Sequence, residues 1–124
     1  MIKFTIKVPP ITKKNHGQII YNKKTGKPMM LPSPQYIQYE KDCGWFMPKV
    51  ATIEGPVNVK AVFYMPTKRR CDLTNLLQAL LDIMVKYEVL ADDNYNVVHS
   101  FDGSYVDYDK ENPRTEVFIC PIKE

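Results

Sequence analysis

Residues 71–94 read CDLTNLLQALLDIMVKYEVLADDN, a helix-length apolar run with carboxylates at its head, its middle and just past its end. On a 3.6-residue wheel Leu73, Leu76, Leu77, Leu80, Ile83, Met84 and Tyr87 form a broad apolar face. Asn75, Gln78, Asp82 and Lys86 fall on one narrow polar line. A helix this apolar is mostly buried, so the line is either its wet edge or the wall of a polar cleft. Asp72 heads the line, and Asp92-Asp93 return after a short turn. Carboxylates on a rigid scaffold suit Mg²⁺, which takes oxygen ligands and usually only one or two protein carboxylates. Lys68-Arg69-Arg70 stand immediately before the run. Cations beside an acidic cluster imply a polyanion brought to a metal, so the expected class is a metal-dependent nuclease.

The rest of the chain is read around that helix. Residues 2–8 alternate apolar and polar as a half-buried strand does, and Pro9-Pro10 end it. Two short strands at 18–22 and 28–31 flank Lys24-Thr25-Gly26 as a hairpin. Ser33-Pro34 supplies a cap and a first-turn proline for a helix reaching about Phe46. Gly55-Pro56 precedes an alternating strand over 57–65, with Val57, Val59, Ala61 and Phe63 on one side. The main helix runs from Asp72 to about Tyr87, and further strands are expected at 96–101 and 115–122, joined by a polar loop. With no repeat or linker, residues 1–124 form a single α+β domain, a mixed β-sheet flanked by two main helices.

Composition bounds the class without naming it. The 124 residues suffice for one core, and 44% hydrophobic with 25% charged residues is ordinary for a globular protein. The net charge of +3 is small, but Lys13-Lys14, the Lys23–Lys27 turn and Lys68-Arg69-Arg70 concentrate it into patches suited to phosphates. For the Lys23–Lys27 turn a solvated surface is the simpler reading. Cys43, Cys71 and Cys120 are odd in number and lack metal-ligand spacing, which points to reduced thiols in a cytoplasmic protein. The N-terminus does not read as a signal peptide, and no window has membrane-span length.

Each candidate also has a plainer role. Asp72 is a helix N-cap by type, Asp92-Asp93 an acidic turn, Asp82 a polar-edge residue, and Asp102-Gly103 a turn. His99 suits a core or edge position in a strand, and Tyr36, Tyr39 and Trp45 suit helix packing more than base stacking.

The block MP-TKRRC-DLTNLLQALLDIMVK-YEVLADDNYNVV resembles the RusA family of phage- and prophage-encoded Holliday-junction resolvases. The matching pattern is a strand ending in Met-Pro, a basic run, an Asp-headed helix with a mid-helix Asp, and an Asp-Asp pair before the next strand. Lys13-Lys14-Asn15 resembles the family's N-terminal loop. The resemblance implies a Mg²⁺-dependent endonuclease, with Mn²⁺ able to substitute, that nicks four-way DNA junctions symmetrically as a homodimer. It assigns catalysis to Asp72, Asp93, Asp92 and Asp82, with Asp72, Asp93 and Asp92 as metal ligands. DNA contacts fall to Lys13, Lys14, Asn15, Lys68, Arg69, Arg70, Asn75 and Gln78.

Two positions depart from the pattern. Thr74 stands where the family usually has a second aspartate, and Gln78 where it usually has a lysine. Cys71 also replaces a frequent arginine. A hydroxyl ligates Mg²⁺ less strongly than a carboxylate, and an amide orients a phosphate without offsetting charge. The expectation is retained activity, with Asp82 or Asp102 and Lys86, Lys68 or Arg69 completing the site. The alternative is a non-catalytic junction-binding protein.

Overall fold

The structure, a computed structural model, describes residues 1–12, 18–21, 23–31 and 33–122. Three alternating segments build its central rows. Strands β1 (Ile2–Ile6), β7 (Arg114–Pro121) and β4 (Val57–Met65) lie side by side, each pair antiparallel. Their register aligns Ile2, Ile119 and Val59 in one row, Phe4, Val117 and Ala61 in the next, and Ile6, Thr115 and Phe63 in a third. Period-2 alternation thus puts all three strands' apolar residues on the same face of the sheet.

Helix α2 (Leu73–Lys86) contributes Leu76, Leu77, Leu80, Ile83 and Met84 to the same core, as its wheel predicts. Helix α1 (Pro34–Gly44) adds Tyr36, Tyr39 and Cys43. Its N-terminus is closed by Ser33, whose Oγ accepts the Tyr36 N–H at 3.1 Å. The helices are joined near their C-terminal ends, where Lys86 pairs with Glu40 and the Tyr87 hydroxyl donates to the Glu40 carbonyl at 3.1 Å. Gly44 leaves room there for Tyr87, since a Cβ would lie 2.6 Å from its ring and the ring would have to shift. Helix α1 stops two residues short of Phe46, as Trp45 and Phe46 N–H bond to carbonyls three residues back. Trp45, expected to pack with the tyrosines, is instead 86% exposed, because it follows the last helical turn on its outer side. The hairpin of β2 (Gln18–Tyr21) and β3 (Pro28–Leu31) forms as expected, as a separate two-stranded sheet.

The second edge of β4 is occupied by two short parallel strands, one after the other. β5 (Val98–Ser100) pairs with its start, and β6 (Tyr105–Tyr108) with its end. The strand expected over 96–101 is shorter because Asn94 accepts N–H bonds from Asn96, Val97 and Val98 and keeps the chain in a turn. β6 lies in the stretch expected to be loop. Between the two strands, residues 101–104 bulge away, and side chains replace the missing ladder. Asn58 Oδ1 accepts from Ser100 Oγ at 2.6 Å and from Asp102 N at 2.8 Å, while the Ser104 hydroxyl accepts from Ala61 N at 3.0 Å. Asp102 and Gly103 therefore serve as turn residues, with Gly103 at φ +88°.

Candidate active site

Asp72 has the extended backbone of an N-cap, with φ −97° and ψ 122°, but its carboxylate caps nothing. Only its carbonyl enters the helix, accepting Leu76 N at 3.2 Å. The carboxylate instead takes the Asn75 amide, Nδ2 to Oδ2, at 3.2 Å. Capping contributes about 1 kcal/mol where it occurs, so this side chain forgoes a local stabilisation to face the polar line. It opens on a cleft of about 450 Å³ lined by Thr67, Arg69, Arg70, Cys71, Asn75 and the segment from Pro10 to Thr12. Lys13, Lys14 and Asn15, assigned to DNA contact, lie outside the described residues.

Beyond α2 the chain is tied down before it reaches Asp93. Val89 and Leu90 are buried, and Ile53 bridges them: its N–H donates to Val89 O, and Ala91 N–H donates to Ile53 O, each at 2.9 Å. Asp92 then closes a tight turn, accepting Asp93 N at 2.7 Å on Oδ1 and Asn94 Nδ2 at 3.1 Å on Oδ2. Both Asp92 oxygens are thus engaged inside the turn. Asp93 is left pointing back at the helix, its Oδ2 3.5 Å from Gln78 Nε2. The same nitrogen donates to Asp82 Oδ1 at 3.1 Å. The chain therefore does run back along α2, to the level of Gln78 and Asp82.

The sequence-assigned residues fall into two neighbouring groups. Asp82, Gln78 and Asp93 meet around one amide nitrogen. Asp72 and Asn75 pair about one turn nearer the helix start. A second cleft, of about 320 Å³, is lined by Thr74, Leu77, Gln78, Leu81, Asp93, Val98 and Phe101. At 100° per residue, its helical residues lie on the opposite flank of the polar line from Asp72 and Leu76. Among the described residues no three His, Cys, Asp or Glu side chains converge to hold a metal ion. Two carboxylates with water are nevertheless an all-oxygen donor set of the kind a hydrated Mg²⁺ uses, and Asp82 and Asp93 fit it. Gln78 keeps them in register without adding charge. Asp82 also acts inward, since burial, then Glu40 and Asp82, push the Tyr36 hydroxyl above its ordinary range.

Lys68, Arg69 and Arg70 are exposed at the loop between β4 and α2, and among the described residues none is in an ion pair. Lys68 Nζ sits over the Tyr108 ring, 5.2 Å from its centroid. That contact was missed with β6, although Tyr105, Val106 and Tyr108 are strand-favouring residue types. His99 is exposed, in the edge strand β5. Cys43, Cys71 and Cys120 are free thiols, and burial pushes Cys43 up to about 12. No described helix is long and apolar enough to cross a membrane.

The geometry therefore holds a basic loop, an Asp-headed helix and a returning Asp pair in one surface region. A model of the endodeoxyribonuclease RusA family matches residues 7–120. No curated protein matches the chain. With the match spanning nearly the whole sequence, the chain belongs to the RusA family of endodeoxyribonucleases.

Proposed function

We propose that this protein is a Mg²⁺-dependent endodeoxyribonuclease that resolves four-way DNA junctions by paired nicks, acting as a homodimer in recombination and repair in the cytoplasm. The observation that carries the reading is the meeting of Asp82 and Asp93 at Gln78 Nε2, with Asp72, Arg69 and Arg70 lining a separate cleft on the other flank of the same polar line. Asp93 and Asp82 are the ligands on one flank of α2, and Asp72, about 15 Å from Asp82 along the helix axis, offers its carboxylate separately, beside Arg69 and Arg70. When bound, a divalent cation there supplies a water of lowered pKa and positive charge at the phosphate; Mn²⁺ satisfies the same oxygens.

The chain's own residues do the remaining work. Asp92 holds the turn that presents Asp93. Asn75 and Gln78 orient their carboxylates and offer amides to phosphate oxygens. Lys68, Arg69 and Arg70, with Lys13, Lys14 and Asn15 from the N-terminal loop, hold backbone phosphates, a contact class that fixes register and carries no base identity. A junction has two-fold symmetry, so two copies of this site suit two nicks.

The test is a synthetic four-way junction incubated with Mg²⁺ and either wild-type protein or Asp93→Asn. Symmetric nicks by wild type, and binding without nicks by Asp93→Asn, are expected. A second reading is a junction-binding protein without catalysis, favoured by the neutral Thr74 and Gln78 in the cleft beside Asp93. Tight binding with no wild-type cleavage across Mg²⁺ and Mn²⁺ concentrations would establish it instead.

A further inference from the structure

We propose that Lys3 and Lys60, gathered over the Phe118 ring on the sheet face opposite the helices, hold backbone phosphates of a junction arm away from the point of cutting. This rests on the nuclease reading above and adds a second DNA contact to it. Both helices pack against the inward residues of β1, β7 and β4, so the residues alternating with those turn to the other face. There Lys3, Phe118 and Lys60 stand side by side in one register row. Lys3 Nζ lies 5.3 Å, and Lys60 Nζ 5.1 Å, from the centroid of the same ring. Lys3 is exposed, and Phe118 and Lys60 are half-buried.

The bulge between β5 and β6 fixes Lys60 in place. The Ser104 hydroxyl accepts Ala61 N–H at 3.0 Å and donates to Val59 O at 3.4 Å, the backbone groups on either side of Lys60. Gly103 lies against the lysine stem, where a Cβ would be 3.1 Å from Lys60 Cδ. With the stem held by the bulge and the ammonium by the ring, less side-chain freedom is lost when an anion binds. Two ammoniums at one ring repel each other, and among the described residues neither is in an ion pair. Glu116, the next outward residue on β7, is bound to Arg114 at 2.8 Å. Asp102 is tied into the bulge through its backbone groups and also makes no ion pair among the described residues. A phosphodiester at the two lysines supplies the missing counter-charge, and DNA repeats that group along each strand. The sheet stands between this row and α2, so the row holds DNA without touching the phosphate at Asp82 and Asp93. Such a contact sets the orientation of an arm and carries no base identity.

The experiment compares wild type with the double variant Lys3→Gln, Lys60→Gln on a four-way junction held with Ca²⁺, by fluorescence anisotropy across a salt series. Affinity at low salt should drop several-fold, and the slope of log affinity against log salt should fall by about 1.8, two phosphate contacts at about 0.9 each. Single-turnover nicking of a saturated junction in Mg²⁺ should not change, because neither lysine reaches the cut phosphate. Shortening the junction arms should abolish the difference between the two proteins, since the held phosphates are then gone. Lys3→Gln alone, at an exposed edge position, should give about half the change in slope, and the double arginine variant should keep the wild-type slope. An unchanged slope, or a loss that is equal on short and long arms, overturns the arm contact and leaves the nuclease reading standing. Wild-type protein that fails to bind the junction at all overturns both.

Discussion

Asp93 and Gln78 are fifteen residues apart in the chain, yet Asp93 Oδ2 lies 3.5 Å from Gln78 Nε2. That separation is long for a hydrogen bond, so the contact is mainly a placement. The placement comes from the backbone: the Ile53 bridge anchors residues 89–91, and the Asp92 turn reverses the chain. The 3.1 Å bond from Gln78 to Asp82 then brings the second carboxylate to the same spot.

If Asp82 and Asp93 hold one cation together, Asp82→Asn and Asp93→Asn should each slow junction nicking by about 100-fold or more. The double variant should be little worse than the poorer single one, since groups acting as a unit are not additive. Single-turnover rates for the four proteins check this. Independent, multiplying effects would separate the two carboxylates.

Arg69→Ala and Arg70→Ala should weaken junction binding most at low salt. Each lost phosphate contact should reduce the slope of log affinity against log salt by about 0.9. A salt titration of fluorescence anisotropy reads the slope directly. Unchanged slopes would remove these arginines from the DNA path.

Asn58 holds the bulge between β5 and β6 with bonds to Ser100 and to both backbone groups of Asp102. Asn58→Ala should destabilise the protein by about 1 kcal/mol, the net contribution of hydrogen bonds at a partly exposed site. Urea denaturation measures it. The β5 side of the cleft beside α2 should loosen as well, visible as faster amide exchange at Val98 and Phe101.

The Asp109 carboxyl is held below its ordinary value of 3.8, first by its bond to Arg114 and then by the Asn112 N–H. A depressed folded value means its contribution is complete above pH 3.8 and is lost as pH falls below that, through the folded value. Asp109→Asn should therefore lower stability near neutral pH slightly and flatten its loss in that acid window. Urea midpoints against pH, for wild type and variant, test the sign.

The sequence by itself determined the strands whose apolar residues alternate, the α2 face and the chemistry along its polar line. Those features are local: period 2 and period 3.6 are written in Val57 to Phe63 and in Leu73 to Met84. The family pattern was legible for the same reason, as acidic, basic and apolar positions recur at fixed spacing along one supersecondary unit. Tertiary structure decided what those residues meet. Asp72 has the type and backbone of a cap but turns its carboxylate to Asn75. β6 exists because the open end of β4 offers unpaired backbone groups that Tyr105–Tyr108 satisfies. Asp93 reaches Gln78 only because Ile53, forty residues earlier, bridges Leu90. Propensity acts over a few residues, whereas the direction of a side chain depends on contacts that folding alone brings together.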